Sequence, residues 1–175
     1  MDDDQEQLAH QIRVNVAFEQ MIVSVLAGAF VAGMLTLILD LGVAIAGSVV
    51  SFSVLLAAVL ETFLVSFLVF ISGFLASILI GVPLFIALEK SKRRTMWPYL
   101  GVSIGVSITV FSFIAGHIPI ADDFNASIVA TIFAPAIVIA FVFGRLMQPI
   151  WRAAILADEA KEKAERSKAI VVRLH

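Results

Sequence analysis

The stretch GVPLFIALEKSKRRTMWPYLG, residues 81–101, decides the fold because it breaks an apolar chain with a dense group of positive charges. Within five positions it carries four cations: Lys90, Lys92, Arg93 and Arg94. Moving one Lys or Arg to the centre of a bilayer costs about 2.5–3.5 kcal/mol on insertion scales. The four charges together therefore predict a basic loop that stays on the cytoplasmic side of a membrane, with apolar helices before and after it in the chain.

The composition of the whole chain also indicates a membrane protein. Apolar residues make up 61% of the 175 residues and charged residues 15%, whereas soluble domains are about half apolar and a quarter charged. The mean hydropathy of +1.02 agrees with this. A net charge of −2 gives no basic field for nucleic acid, and the lack of cysteine excludes disulfides and thiolate metal sites. We therefore expect a lipid bilayer as a partner, no nucleic acid and no cofactor.

Four apolar runs have about the length needed to cross roughly 30 Å of hydrocarbon. They are residues 21–39, 62–88, 97–117 and 126–148. In lipid each segment must satisfy its own backbone amides, and runs of this length without alternation are helices rather than barrel strands. The first run is too long and its leader too acidic for a secretory signal, so we expect a retained anchor. The prediction is an all-α, polytopic membrane helical bundle over residues 20–148, between an acidic cytoplasmic segment, 1–19, and a charged cytoplasmic helix, 149–175.

Residues 41–60 leave the number of crossings open, since this segment is apolar enough to form a fifth span. Only Asp40 and Glu61 separate it from its neighbours. In the preferred four-span arrangement it extends the first two spans and contains a re-entrant or interfacial turn. Lys and Arg gather on the cytoplasmic side, so four spans place both termini in the cytoplasm, whereas five place the N-terminus outside. Arg13, the one cation before Lys90, favours four spans.

The charged segments predict contacts with the membrane surface and with the cytosol. Cations of the loop attract anionic lipid headgroups by about 1 kcal/mol each. Trp97, Tyr99 and Trp151 are placed where amphipathic rings prefer the headgroup level. Residues 157–168 are polar and contain acid-before-base pairs four residues apart, which favours a helix. This tail is either a solvated helix or a docking helix for a partner.

Small residues recur at helical spacing in the predicted spans, which favours close packing between helices. Residues four apart share one face of a helix, and small side chains there let two backbones approach. The candidate packing residues are Gly73, Ser77, Gly81, Gly101, Gly105, Ala136, Ala140 and Gly144. The spacing does not distinguish a neighbouring helix of the same chain from one of another subunit.

Polar residues near the outer ends of the spans form the second group of candidates. They are Asp40, Glu61, His117, Asp122 and Asp123. Most of them are expected at the interface, where water reaches them. Glu61 is a candidate membrane-embedded polar site, because it lies within the bilayer if its span begins nearer residue 54.

The sequence gives little direct information about biochemical activity. It contains no zincin, Walker or Rossmann motif, and the G-x-S-x-G match at 101–105 lies in an apolar helix rather than a strand–turn–helix. We therefore expect a non-enzymatic accessory, assembly or scaffolding subunit of a complex in the cell inner membrane, in contact with other membrane subunits or with itself. The alternatives are a small channel or transporter subunit that moves ions, protons or a small solute and, with least support, a membrane enzyme.

Overall fold

The computed structural model describes residues 2–117 and 126–173, and the side chains of residues 7–113, 131–164 and 166. All regular structure in these ranges is helical, so the prediction of an all-α fold is confirmed for them. The elements are α1 (Asp2–Ala46), α2 (Phe52–Ala76), a π turn (Ser77–Gly81), α3 (Val82–Lys90), α4 (Trp97–His117) and α5 (Ala126–Arg173).

Three stretches of the described helices are long and apolar enough to cross a membrane. They are Gln7–Ala46, Phe52–Lys90 and Thr131–Ala164, and a shorter apolar helix covers Trp97–Phe113. The predicted span 97–117 coincides with α4, and the predicted span 126–148 is the first half of α5. The predicted span 62–88 runs through α2, the π turn and α3.

Residues 41–60 do not form a helix of their own. Helix α1 continues to Ala46, a turn occupies residues 47–51, and α2 begins at Phe52. The segment therefore lengthens two neighbouring helices and closes them into a hairpin. The turn lies inside the segment for which a re-entrant or interfacial turn is expected in the four-span arrangement.

The same hydrogen-bonded motif ends α1 and α3. At the end of α1, Val49 N–H donates to the carbonyl of Ala44 and Ser48 N–H to that of Ile45, with Ser48 at φ 53°. At the end of α3, Arg93 N–H donates to the carbonyl of Leu88 and Lys92 N–H to that of Glu89, with Lys92 at φ 55°. These are Schellman motifs, and in each a non-glycine residue takes the left-handed position that glycine usually fills.

The π turn between α2 and α3 has a local cause. Pro83 has no N–H and cannot donate to the carbonyl four residues earlier, so the regular helix is weakened there. In the turn before it, Val82 N–H donates to the carbonyl of Ser77, five residues back. The chain thus passes from α2 into α3 through one widened turn.

The helices pack in the order α2, α1, α5, α4. Helix α1 makes its extensive contacts with α2 and α5, and α4 makes its extensive contacts with α5. Because α2 and α4 are not closely packed against each other, a cleft lies between the α2–α3 helix and α4, with α5 at its back.

The packed core lies towards one end of the bundle, which we call the loop end: residues 89–96 and the parts of α1 and α5 beside them. Its core consists of Ala17, Met21, Phe85, Tyr99, Phe143, Met147 and Trp151. The rings of Tyr99 and Phe143 have centroids 4.8 Å apart, and those of Phe143 and Trp151 meet edge-to-face at 6.2 Å. We call residues 41–60 the hairpin end.

Candidate functional site

Four charged side chains meet at the loop end, and we call Arg13, Glu89, Arg94 and Asp158 the charge cluster. Arg94 Nη2 and Nε donate to the two carboxylate oxygens of Glu89 at 3.2 and 3.4 Å. Arg94 Nη1 donates to Asp158 Oδ2 at 2.8 Å. Arg13 Nε lies 2.8 Å from Glu89 Oε1 but is not aligned for a hydrogen bond, so that contact is ionic. The cluster joins α1, α3, the basic loop and α5.

Burial makes the charge cluster different from a surface ion pair. The side chains of Glu89 and Arg94 are 5% and 6% exposed. Desolvation acts to lower the pKa of Arg94, but the hydrogen bonds and charges of Glu89 and Asp158 outweigh it, and the pKa of Arg94 is raised. The cation's contribution to stability is therefore fully present below its unfolded pKa and is lost only as the pH rises through the higher folded value. Arg94 stays charged throughout the physiological range.

The backbone explains why Arg94 reaches back to Glu89. The Schellman motif centred on Lys92 reverses the chain immediately after α3. Two residues beyond that turn, the Arg94 guanidinium lies beside the last helical turn that carries Glu89. Asp158 comes from the part of α5 just after the aromatic core, so the ion pairs form directly beyond the buried rings.

A polar cleft of about 890 Å³ surrounds the charge cluster. Side chains of both signs line it, including His10, Lys90, Lys92, Glu159 and Glu162. This mixture provides hydrogen-bond donors and acceptors for a polar partner. No group of three or more potential metal ligands occurs among the described residues.

The cleft between the α2–α3 helix, α4 and α5 encloses a second cavity, which is apolar and has a volume of about 260 Å³. We call it the helix cavity. Small residues from three helices line it, among them Gly73, Ser77, Ser103, Ser107 and Ala136. The π turn borders it on one side and Pro135 on another, so two helix irregularities lie at its wall. The larger lining side chains, such as Ile139 and Phe143, are apolar.

The predicted packing residues have different surroundings. A Cβ on Gly73 would lie 3.1 Å from Val25 Cγ1, one on Gly81 3.2 Å from Met21 Sδ, and one on Gly144 2.6 Å from Met96 Cβ. Gly73 and Gly81 therefore lie at close approaches between helices, and Gly144 lies where α5 approaches Met96, directly before α4.

The remaining predicted packing residues do not share that environment. Ala140 is buried, while Ser77 and Ala136 line the helix cavity. A Cβ on Gly101 or Gly105 would meet no described atom within 4 Å. The small face of α4 therefore has no neighbour in the described part of the chain.

The polar candidates at the hairpin end are not brought into one site. Glu61 is exposed on α2, nine residues after the helix begins at Phe52, and it lines neither the helix cavity nor the polar cleft. Asp40 is half-buried on α1, and its Oδ2 has no hydrogen-bond partner among the described residues. The side chain of His117, and the whole of Asp122 and Asp123, lie outside the described residues.

Sequence reasoning did not single out Glu89, Arg13 and Asp158 as a site. One signal was present: Glu89 is the only acidic residue between Glu61 and the basic loop, directly before four cations. Of those four cations, Arg94 is committed to the charge cluster, while Lys90, Lys92 and Arg93 are exposed.

Comparison of the chain with protein-family models, with curated proteins and with solved structures finds no match. The class of the protein is inferred from its own structure: it is a helical membrane protein, and three helices in the described part of the chain are long and apolar enough to cross a membrane.

Proposed function

We propose that the protein crosses the cell inner membrane four times, with both termini and the basic loop in the cytoplasm. Helices α1, α2–α3, α4 and the first half of α5 are the four spans. The charge cluster supports this arrangement, because it requires residues 13, 94 and 158 to lie at one end of the bundle. The positive charges of the chain gather at that same end, as expected of a cytoplasmic face.

Within that arrangement we propose that the protein is an accessory, assembly or scaffolding subunit of a membrane complex. The observation that carries the proposal is the face of α4 with Gly101 and Gly105, which meets nothing in the described chain although small residues favour close helix packing. A helix of another subunit fits such a face. The polar cleft at the loop end offers a second surface, suited to a polar partner in the cytosol.

Site-specific photo-crosslinking tests the proposal. A benzoylphenylalanine placed at Gly101 or Gly105 in the native membrane is expected to give a discrete protein adduct, identified by mass spectrometry. The matched control is the same residue at Phe67, which is exposed on α2, a different helix. Lipid adducts alone at all three positions would contradict a subunit role.

The structure lends less support to the alternative of a channel or transporter subunit, because Glu61 lines neither cavity. A Glu61→Gln variant reconstituted in proteoliposomes is expected to leave ion and proton leak unchanged. A flux in the wild-type protein that Glu61→Gln abolishes would favour the transport alternative instead.

A further inference from the structure

We propose that one face of α2 docks a transmembrane helix of a different subunit, which carries a Lys or Arg at the depth of Glu61. Ala57, Glu61, Leu64 and Leu68 define this face, and we call it the Glu61 face. The inference rests on the proposed subunit role, but it concerns a surface separate from the small face of α4. Different experiments therefore test the two surfaces.

The Glu61 face is exposed along its whole length. Its residues recur at positions i, i+4, i+7 and i+11, so they share one side of the helix. Leu64 is 58% exposed and Leu68 56%, and Ala57 and Glu61 are also exposed. No residue of this face lines the helix cavity or the polar cleft. The face is therefore open to lipid or to another protein.

Contacts between α1 and α2 place Glu61 inside the hydrocarbon rather than at its edge. Met21 belongs to the same buried cluster as Tyr99, a ring expected at the headgroup level. Gly33 is twelve residues further along α1, about 18 Å at 1.5 Å per residue, and it lies against Thr62. Because Thr62 is next to Glu61, the carboxylate lies about 12 Å short of the opposite boundary of a hydrocarbon core of roughly 30 Å. A tilt of α1 moves it closer to the midplane.

A carboxylate at that depth needs a polar partner. Ionisable residues inside a membrane pair with one another or with other polar groups and rarely face lipid. Glu61 makes no hydrogen bond and no ion pair in the described part of the chain. It is also the only charged residue of α2, in the sequence FSVLLAAVLETFLVSFLVFISGFLA. Charge complementarity therefore selects a helix with a basic residue at the same depth.

The complementary charge comes from a different polypeptide. The chain has no Lys or Arg between residues 14 and 89 or between residues 95 and 144. Arg145 follows Gly144, which lies beside Met96 at the loop end, far from the depth of Glu61. A second copy inserted the same way would bring two carboxylates to one depth, where like charges repel. A Lys or Arg of another subunit supplies both the charge and the hydrogen-bond donors that Glu61 lacks.

Photo-crosslinking in the native membrane tests the Glu61 face. Benzoylphenylalanine at Leu64, one helical turn from Glu61, is expected to give a protein adduct. Mass spectrometry is expected to identify the cross-linked peptide as a membrane segment that contains Lys or Arg. Adding Glu61→Gln is expected to reduce the yield of that adduct by about tenfold, since an interhelical polar contact is lost. The matched control is benzoylphenylalanine at Phe30, which is 67% exposed on α1, three residues from Gly33, and is expected to give lipid adducts only.

A charge exchange tests the ion pair itself. Glu61→Lys is expected to abolish the adduct, and replacing the partner's basic residue by Glu is expected to restore it. These variants are expected to fold, because Glu61 is exposed and lies outside the packed core.

Four results would overturn the proposal: lipid adducts alone at Leu64, an adduct with a second copy of this chain, an adduct with a segment that has no basic residue, or an unchanged yield in Glu61→Gln. Protein adducts at Gly101 or Gly105 together with lipid adducts alone at Leu64 would support the subunit role and reject only the Glu61 face.

Discussion

The loop end and the hairpin end differ in charge and in packing. Residues 89–96 carry four cations and one carboxylate beside a core of large side chains, whereas residues 41–60 carry no charge and bury the small side chains Ala44 and Ala58. At the loop end Phe143 is 3% exposed, within a core of aromatic and methionine side chains beside the buried side chains of Glu89 and Arg94. At the hairpin end Val43 is 73% exposed and Phe52 82%. Apolar composition is thus enough for a helix to enter a bilayer, but contact between helices needs features that lipid does not supply: fitted rings, small residues and paired charges.

The largest expected difference between the two ends comes from removing one aromatic ring. Phe143→Ala leaves a cavity among Tyr99, Trp151 and their neighbours, and we expect it to cost about 3–5 kcal/mol of unfolding free energy. Phe52→Ala removes the same ring at the hairpin end and is expected to change stability by less than about 0.5 kcal/mol. Thermal unfolding in detergent, followed by circular dichroism, measures both. Similar losses at the two positions would show that the hairpin end is also packed.

Removing one carboxylate charge should give the next largest effect. Glu89→Gln weakens the charge-assisted hydrogen bonds of Arg94 and the contact with Arg13, and we expect a cost of about 1.5–3 kcal/mol. Glu61→Gln is the matched change at an exposed position, with an expected effect within about 0.5 kcal/mol. The same unfolding measurement applies, and an unchanged melting temperature in Glu89→Gln would mean that the charge cluster is not a structural link.

Two glycine-to-alanine changes separate close packing from intrinsic helix propensity. Gly144→Ala brings a methyl group to 2.6 Å from Met96 Cβ, and we expect a loss of about 1–3 kcal/mol. Gly42→Ala meets nothing within 4 Å and is expected to gain up to about 1 kcal/mol from the better helix former. A lower melting temperature in Gly144→Ala and a higher one in Gly42→Ala would support the difference in packing between the two ends. A gain in both variants would indicate that α5 does not contact Met96.

The smallest expected change in unfolding free energy is the same at the two ends, because it comes from the backbone conformation of a single residue. Lys92→Gly and Ser48→Gly each remove a side chain from a left-handed residue of a Schellman motif, with an expected gain of about 0.5–1 kcal/mol. The midpoint of unfolding in a titration with a denaturing detergent, measured for each variant and for the wild type, tests this expectation. A loss of stability in Lys92→Gly alone would show that its cation, rather than its backbone, matters for folding.

The features that depend on local sequence were predictable. The helical class follows from the apolar runs, and the turn near 47–51 follows from the small and polar residues between two such runs. The features that depend on which helices contact each other were not predictable. Gly101 and Gly105 have the same four-residue spacing as Gly73, Ser77 and Gly81, but of these glycines only Gly73 and Gly81 lie against a neighbouring helix.

The charge cluster could not be predicted for the same reason, because it depends on which helices meet. Arg94 and Asp158 are 64 residues apart, and no local pattern indicates that they form an ion pair. The sequence showed an unusual concentration of charge at 90–94 but not that one of its cations is buried. The tertiary structure separates Arg94, which holds the loop end together, from the exposed Lys92 and Arg93.

Single-cysteine labelling of intact cells provides the most direct test of the proposed orientation, because the natural chain has no cysteine. A membrane-impermeant maleimide is expected to label Ser48→Cys at the hairpin end in intact cells, and Lys92→Cys at the loop end only after the inner membrane is opened. Labelling of Lys92→Cys in intact cells, with Ser48→Cys protected, would place the basic loop outside and contradict the proposed orientation.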